Sequence, residues 1–216
     1  KNCEQTPQNA AGVQLIAVSK TQPVSAIEAA YQAKQRQFGE NYPQELATKA
    51  QALAHLPDLE WHFIGPLQSN KTRLVAEHAA WVQSIDRLKI AQRLSEQRPA
   101  DLPDLQVLLQ VNISNESAKS GIAAEQLFEL AAAVAALPRL QLRGLMAIPA
   151  PGDKSKLAAD FAAMQQLSQQ LQQQHPQATE LSMGMSDDWP LALRYGATMI
   201  RLGTAIFGAR NYDKHE

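Results

Sequence analysis

The sequence predicts an α/β protein built as a single (β/α)8 TIM barrel. Three observations carry that prediction. Short apolar runs alternate with longer stretches of helical periodicity along the chain. The runs number eight, the strand count of the closed parallel barrel, and 216 residues suit that fold as one domain. No Gly-x-Gly-x-x-Gly turn follows the first run, which counts against the rival open doubly wound sheet.

The elements follow in order. Residues 15–19 (LIAVS) form an apolar run of buried-strand length, and Gln22-Pro23 turns the chain into a helix over about 25–33. Residues 36–40, with Phe38-Gly39, read as the second strand. The helix over 43–53 opens on a proline whose missing N–H is no loss there. WHFI at 61–64 is the third strand, and Ser69 or Asn70 is placed to cap the helix after it. The fourth strand is 81–85, with Asp86 as the expected cap of a helix reaching about Gln97. QVLLQVNI at 106–113 is the strongest strand signal, followed by a polar loop and a helix over 123–136 that ends before Pro138. A sixth strand at 141–147, a Pro-rich loop and a long helix over about 156–174 come next. A seventh strand at 180–183, a helix over about 188–195 and an eighth strand at 199–202 complete the count.

Composition narrows the function. Apolar residues are 45%, enough for a large core, and the net charge is −1 with 19% charged residues. A nucleic-acid or membrane-surface protein would carry a basic excess, so neither partner is expected. A small anion remains compatible, because a few backbone N–H groups hold one phosphate. The lone Cys3 permits neither an internal disulfide nor a Cys-x-x-Cys metal cluster, and no metal is expected. No apolar run reaches the ~18 residues of a membrane span, so a cytoplasmic protein is the default. Trp61, Trp81 and Trp189 are read as packing residues.

In this fold, functional residues sit at the C-terminal ends of the strands. Lys20, Asn41, His62, Asn112, the segment 182–186, Arg201, Gly203 and Thr204 fall there. Lys20 follows a run that belongs inside a barrel. A buried ammonium is costly, and a partly neutral amine condenses with aldehydes. The plain alternative is a lysine that passes the strand end and reaches solvent. Closure puts the eighth strand beside the first, so the Gly203-Thr204 turn lies next to Lys20. Gly203 admits close backbone approach to an anion, and Thr204 offers a hydroxyl and an N–H. Gly184 and Ser186 belong to the loop after the seventh strand, and these two loops form the usual phosphate site of the fold. Asp187 and Asp188 oppose an anion unless they turn away as helix caps. Arg201 shares the strand face of Gly203. It either meets a ring nitrogen in the mouth or pairs with a carboxylate at the rim. His62 either reaches the pocket or is a hydrogen-bonded core residue. Together the lysine and the two turns point to a phosphorylated aldehyde.

The segments AVSKTQP, FGENYPQE, WHFIGPLQSNK, LLQVNIS with KSGI, LRGLMAIPAP, LSMGMSDD and MIRLGTAIFGAR resemble the pyridoxal phosphate homeostasis proteins, the YggS/PROSC type. The resemblance runs from about Leu15 to Arg210. It implies a fold similar to the N-terminal barrel of alanine racemase and a pyridoxal 5′-phosphate (PLP) cofactor held as a Schiff base on Lys20. It further implies that Ser186, Gly203 and Thr204 hold the phosphate. Arg201 would face the pyridine nitrogen, and Asn41 would line the pocket near the ring. The family's helix before the first strand is largely missing, so the domain is expected to be 1–216 with that helix truncated. The loop at Asn115-Glu116-Ser117-Ala118 departs from the family pattern and leaves its role open. The second base of alanine racemase-like enzymes comes from another domain, for which this chain has no residues to spare. Tyr42 is the nearest internal substitute. The expected function is therefore a carrier and regulator in PLP and amino-acid homeostasis, with no catalytic residues assigned. It would act as a monomer, with PLP-accepting apo-enzymes as further partners. A racemase of low activity is the alternative.

Overall fold

A computed structural model describes residues 12–209. Cys3 and the rest of residues 1–11, where the truncated helix was expected, lie outside the described residues. The strands are β1 (Gln14–Val18), β2 (Gln37–Glu40), β3 (Glu60–Phe63), β4 (Trp81–Ile85), β5 (Leu105–Gln110), β6 (Leu140–Met146), β7 (Glu180–Ser182) and β8 (Met199–Leu202). Each pairs in parallel with the next, and β8 returns to β1 with Ile16 opposite Arg201 and Ala17 opposite Leu202. The sheet is a closed barrel, as the sequence predicts.

The helices are α1 (Val24–Gln32), α2 (Pro43–Ala52), α3 (Thr72–His78), α4 (Leu88–Gln97), α5 (Leu127–Ala135), α6 (Lys154–Gln174), α7 (Trp189–Arg194) and α8 (Thr204–Phe207). Short 3-10 turns at Ser69–Lys71 and Ala124–Gln126 lead into α3 and α5. The short α8 after the last strand was not anticipated. Predicted caps also differ. Neither Ser69 nor Asn70 caps α3 with its side chain, because the 3-10 turn intervenes, and Asp86 does not cap α4, where Arg87 holds the cap position. Asp86 instead accepts from the Gly121 N–H at 3.2 Å and pairs with Arg87 at 3.0 Å. Its carboxylate ties the loop after β5 to the loop after β4.

Side chains alternate across each strand, which separates two packing regions. One face, with Phe38 and Phe63, packs against the helices through residues such as Leu46, Ile90 and Phe161. The other face fills the barrel, where Ile16, Trp81, Leu108, Met146 and Met199 meet. Buried beside them are polar side chains: His62, Gln83, Ser182 and Arg201. Burying polar groups is tolerated when they bond to one another. Among the described residues no helix is long and apolar enough to cross a membrane.

Candidate functional site

All six residues singled out for binding line one cavity of ≈ 160 Å³ at the C-terminal mouth: Lys20, Asn41, Ser186, Arg201, Gly203 and Thr204. Val18, Ile64, Ile148 and Met185 supply its apolar walls. Ile148 and Met185 are exposed, so the mouth is open to solvent. A larger hollow of ≈ 520 Å³ lies outside the barrel, between α1 and α8, but no titratable side chain lines it. His62 and Tyr42 do not line the mouth cavity.

Lys20 stands just beyond β1, in a tight turn. The Ser19 N–H still bonds Gly39 O of β2 at 2.9 Å, and the Gln22 N–H closes back on Ser19 O at 3.0 Å. The turn puts Thr21 at φ +62°, a left-handed conformation that β-branched residues resist. Lys20 is half-buried. Asn41 follows β2, and its Oδ1 is buried with no partner among the described residues. A buried amide oxygen left unpaired is costly, which marks it as an acceptor awaiting a donor. Gly65 makes room for this turn: a Cβ there would sit 2.3 Å from Asn41 O.

Across the mouth, the Ser186 and Thr204 hydroxyls lie 3.5 Å apart on the loops after β7 and β8. Gly184 takes φ +101° where the chain leaves β7, and a Cβ would meet Ala192 at 2.7 Å. Only glycine fits that bend. Asp188 does not line the cavity, and its Oδ1 accepts the Met185 N–H at 2.7 Å. It stands at the start of α7 but makes no side-chain bond to the helix. The expected side-chain cap is therefore replaced by a loop bond.

Arg201 is 2% exposed. Its Nη1 donates to Ser182 Oγ at 2.6 Å and its Nη2 to Ala147 O at 3.0 Å. The rim ion pair considered for it does not form among the described residues. Burial pulls the guanidinium down to about 10, with Asp188 opposing, so it stays charged at neutral pH. From Arg201 a chain of bonds crosses the barrel. Ser182 Oγ donates to Gln83 Oε1 at 2.6 Å, and Gln83 Nε2 reaches His62 Nδ1 at 2.9 Å. Gln83 Nε2 can only donate, which sets the direction of that bond. His62 Nδ1 must accept, and Nε2 carries the proton of a neutral ring. That ring stacks on Trp81 with centroids 5.4 Å apart, and burial holds its pKa down to about 3. His62 is the hydrogen-bonded core residue of the two readings.

Sequence reasoning missed Gln83 and Ser182 as the supports of Arg201. Their signal was a polar residue at an inward strand position. It also missed Glu40 and Lys49, which lie behind Lys20. Their signal was a charged residue inside the second strand.

The cavity thus offers an amine, a pair of hydroxyls suited to an anion, and a buried cation. A closed barrel with such a mouth defines the class: a family model described as alanine racemase, N-terminal domain, matches residues 1–211, and the chain belongs to that family. Within it, the chain is one of the pyridoxal phosphate homeostasis proteins. The protein of that name from Vibrio alginolyticus is 56% identical over 217 residues, covering 99% of this chain and 92% of that one. PipY of Synechococcus elongatus, solved without PLP, superposes with a TM-score of 0.86 at 42% identity over 96% of this chain and 100% of its own. Its PLP-bound structure gives 0.81 at the same identity. Alanine racemase of Corynebacterium glutamicum shares the fold at TM-score 0.71 and 17% identity, covering all of this chain and 62% of its own.

Proposed function

We propose that this chain binds PLP in the mouth cavity and holds it as a Schiff base on Lys20. In this reading it is a cytoplasmic monomer that acts in vitamin B6 and amino-acid homeostasis as a carrier and regulator, passing the cofactor to apo-enzymes. The observation that carries the reading is one cavity joining the Lys20 amine, the Ser186–Thr204 hydroxyls and the Arg201 guanidinium. The names of the relatives and the PLP-bound PipY support the same ligand.

The residues fit such a group. Ser186 and Thr204 converge on one point, which suits a phosphate, and Gly203 adds no side chain there. Asn41 Oδ1 is an unpaired buried acceptor in the wall, placed for a donor on the ligand. Arg201 donates to whatever faces it and has no proton to give up at neutral pH, so a ring nitrogen there stays unprotonated. That weakens the electron sink needed for chemistry at an amino-acid α-carbon. When bound, the cofactor supplies an aldehyde. The Lys20 nitrogen would bond the aldehyde carbon, with both amine protons leaving with the carbonyl oxygen as water. No redox partner would be required: water would reverse the bond, and an incoming amine would displace the Lys20 nitrogen, its two protons passing to Lys20 as the amine is restored.

No tyrosine lines the cavity, and Tyr42 is 53% exposed. A second base on the far side of a bound amino acid is therefore missing among the described residues, which favours carriage over racemisation. The test is an absorbance spectrum of wild type and Lys20→Ala with added PLP, before and after borohydride. A Schiff-base band that is trapped in wild type and absent in the variant is expected. A wild type whose spectrum stays that of free PLP, with no cofactor fixed to the protein by borohydride, overturns the proposal. Deuterium entering the α-carbon of alanine at turnover rates would replace carriage with racemisation.

A further inference from the structure

Behind Lys20 lies a buried cluster that takes no part in the cavity wall. Lys49 of α2 is 5% exposed, and its Nζ donates to three acceptors: Ser19 O at 2.6 Å, Glu40 Oε1 at 2.6 Å and Glu45 Oε1 at 2.7 Å. Ser19 Oγ donates to the same Glu40 oxygen at 2.8 Å, and Glu45 Oε1 accepts the Thr21 N–H at 2.6 Å. The residues held are the two neighbours of Lys20. The carboxylates are also placed to matter, since Glu40 directly precedes Asn41 of the cavity.

We infer that Lys49, Glu45 and Glu40 are positioning residues that fix the Ser19–Lys20–Thr21 turn and so aim the Lys20 amine. The inference rests on the proposed covalent role of Lys20. Two features argue that the cluster serves geometry rather than stability. Replacing a buried ion pair with packed apolar groups is often neutral or stabilising. Here Glu40 Oε2 is left buried with no partner among the described residues, a further cost of keeping the carboxylate. The turn, by contrast, needs support. Thr21 sits at φ +62°, and its N–H is the one Glu45 holds. Without that bond the threonine would relax toward a common conformation and swing Lys20 with it. Lys49 itself is no rival nucleophile, because all three of its N–H bonds are engaged.

The test compares full-length wild type, Lys49→Met, Glu45→Ala and Glu45→Gln with two ligands. PLP reports covalent linkage through its absorbance and borohydride trapping. Pyridoxine 5′-phosphate has the same ring and phosphate but an alcohol in place of the aldehyde, and reports binding alone by fluorescence. Misplacing a reacting group by about 1 Å costs up to ~100-fold, so linkage in Lys49→Met and Glu45→Ala should slow by at least about tenfold. Binding of pyridoxine 5′-phosphate should stay at the wild-type level. Glu45→Gln should restore most of the rate, since its amide oxygen still accepts the Thr21 N–H. Hydrogen exchange at the Thr21 amide should quicken in Glu45→Ala only, a readout that stands even if Lys49→Met does not fold. Unchanged linkage, or equal loss for both ligands, overturns the inference. Failure of wild type to link PLP would instead overturn the proposed function.

Discussion

Arg201 and Ser182 face each other from neighbouring strands, with Nη1 donating to Oγ at 2.6 Å deep in the barrel. The serine hydroxyl has one proton and gives it to Gln83. Removing that hydroxyl leaves a guanidinium N–H and an amide oxygen unpaired on buried side chains. Ser182→Ala should therefore destabilise the ligand-free protein by about 2–3 kcal/mol, the range for orphaned buried groups with one of them charged. Urea unfolding measures it. Adding Gln83→Leu should cost less than the sum of the two single changes, because one orphan disappears with its side chain.

The barrel was legible in the sequence because its signal is repetitive. The runs 81–85 and 199–202 coincide with β4 and β8, and the other strand boundaries shift by a few residues. Lys20 and Thr204 were legible as neighbours for a topological reason: closure forces the end of β8 beside β1, and both line one cavity. The supports behind them were not. Glu40 looks like any charged residue at a strand end until Lys49, nine residues on, folds back over it. Gln83 looks like a break in an apolar run until Ser182 arrives from ninety-nine residues away. Asp86 had the right type and place for a helix cap, but Gly121 offered it a longer-range partner. Local propensity is visible in a sequence, whereas the pairing of buried polar groups is decided by the tertiary fold.

His62 makes stability depend on pH. Its pKa is about 3 in the folded chain because burial penalises the charged ring, against 6.5 in the ordinary case. Between those values the unfolded chain binds a proton that the native chain refuses. The contribution is fully present above 6.5 and is lost as pH falls toward 3. The slope is about 1.4 kcal/mol per pH unit for one proton. Glu40 acts in the opposite sense. Burial raises its carboxyl despite the lowering charge of Lys49, so the native chain gains a proton more readily and acid stabilises that site. Comparing wild type with His62→Gln by urea unfolding at pH 7 and pH 5 isolates the histidine. The variant should lose less stability on acidification, and equal losses would show that His62 is not the group responsible.

Gly65 and Gly152 give a matched pair. A Cβ on Gly65 would sit 2.3 Å from Asn41 O and 2.7 Å from its Cα, both backbone atoms. One on Gly152 would meet only the flexible Lys156 side chain, at 2.9 Å. Gly65→Ala should cost about 1–3 kcal/mol by overpacking and should also weaken PLP binding, because the atoms displaced belong to a cavity residue. Gly152→Ala should stay within about 0.5 kcal/mol. Thermal unfolding and a PLP titration check both.

Ser186 and Thr204 separate binding from folding. Both are exposed, and their hydroxyls bond only weakly to each other at 3.5 Å. Ser186→Ala and Thr204→Val should therefore leave the unfolding midpoint of the free protein nearly unchanged. If these hydroxyls hold a phosphate, each donates a hydrogen bond to a charged acceptor, worth about 1.5–3 kcal/mol, or roughly 10- to 150-fold in affinity. Pyridoxal without its phosphate should bind wild type and both variants equally. That comparison assigns the loss to the phosphate. If pyridoxal affinity falls along with PLP affinity, the two hydroxyls serve the ring or the shape of the mouth instead, and the phosphate lies elsewhere.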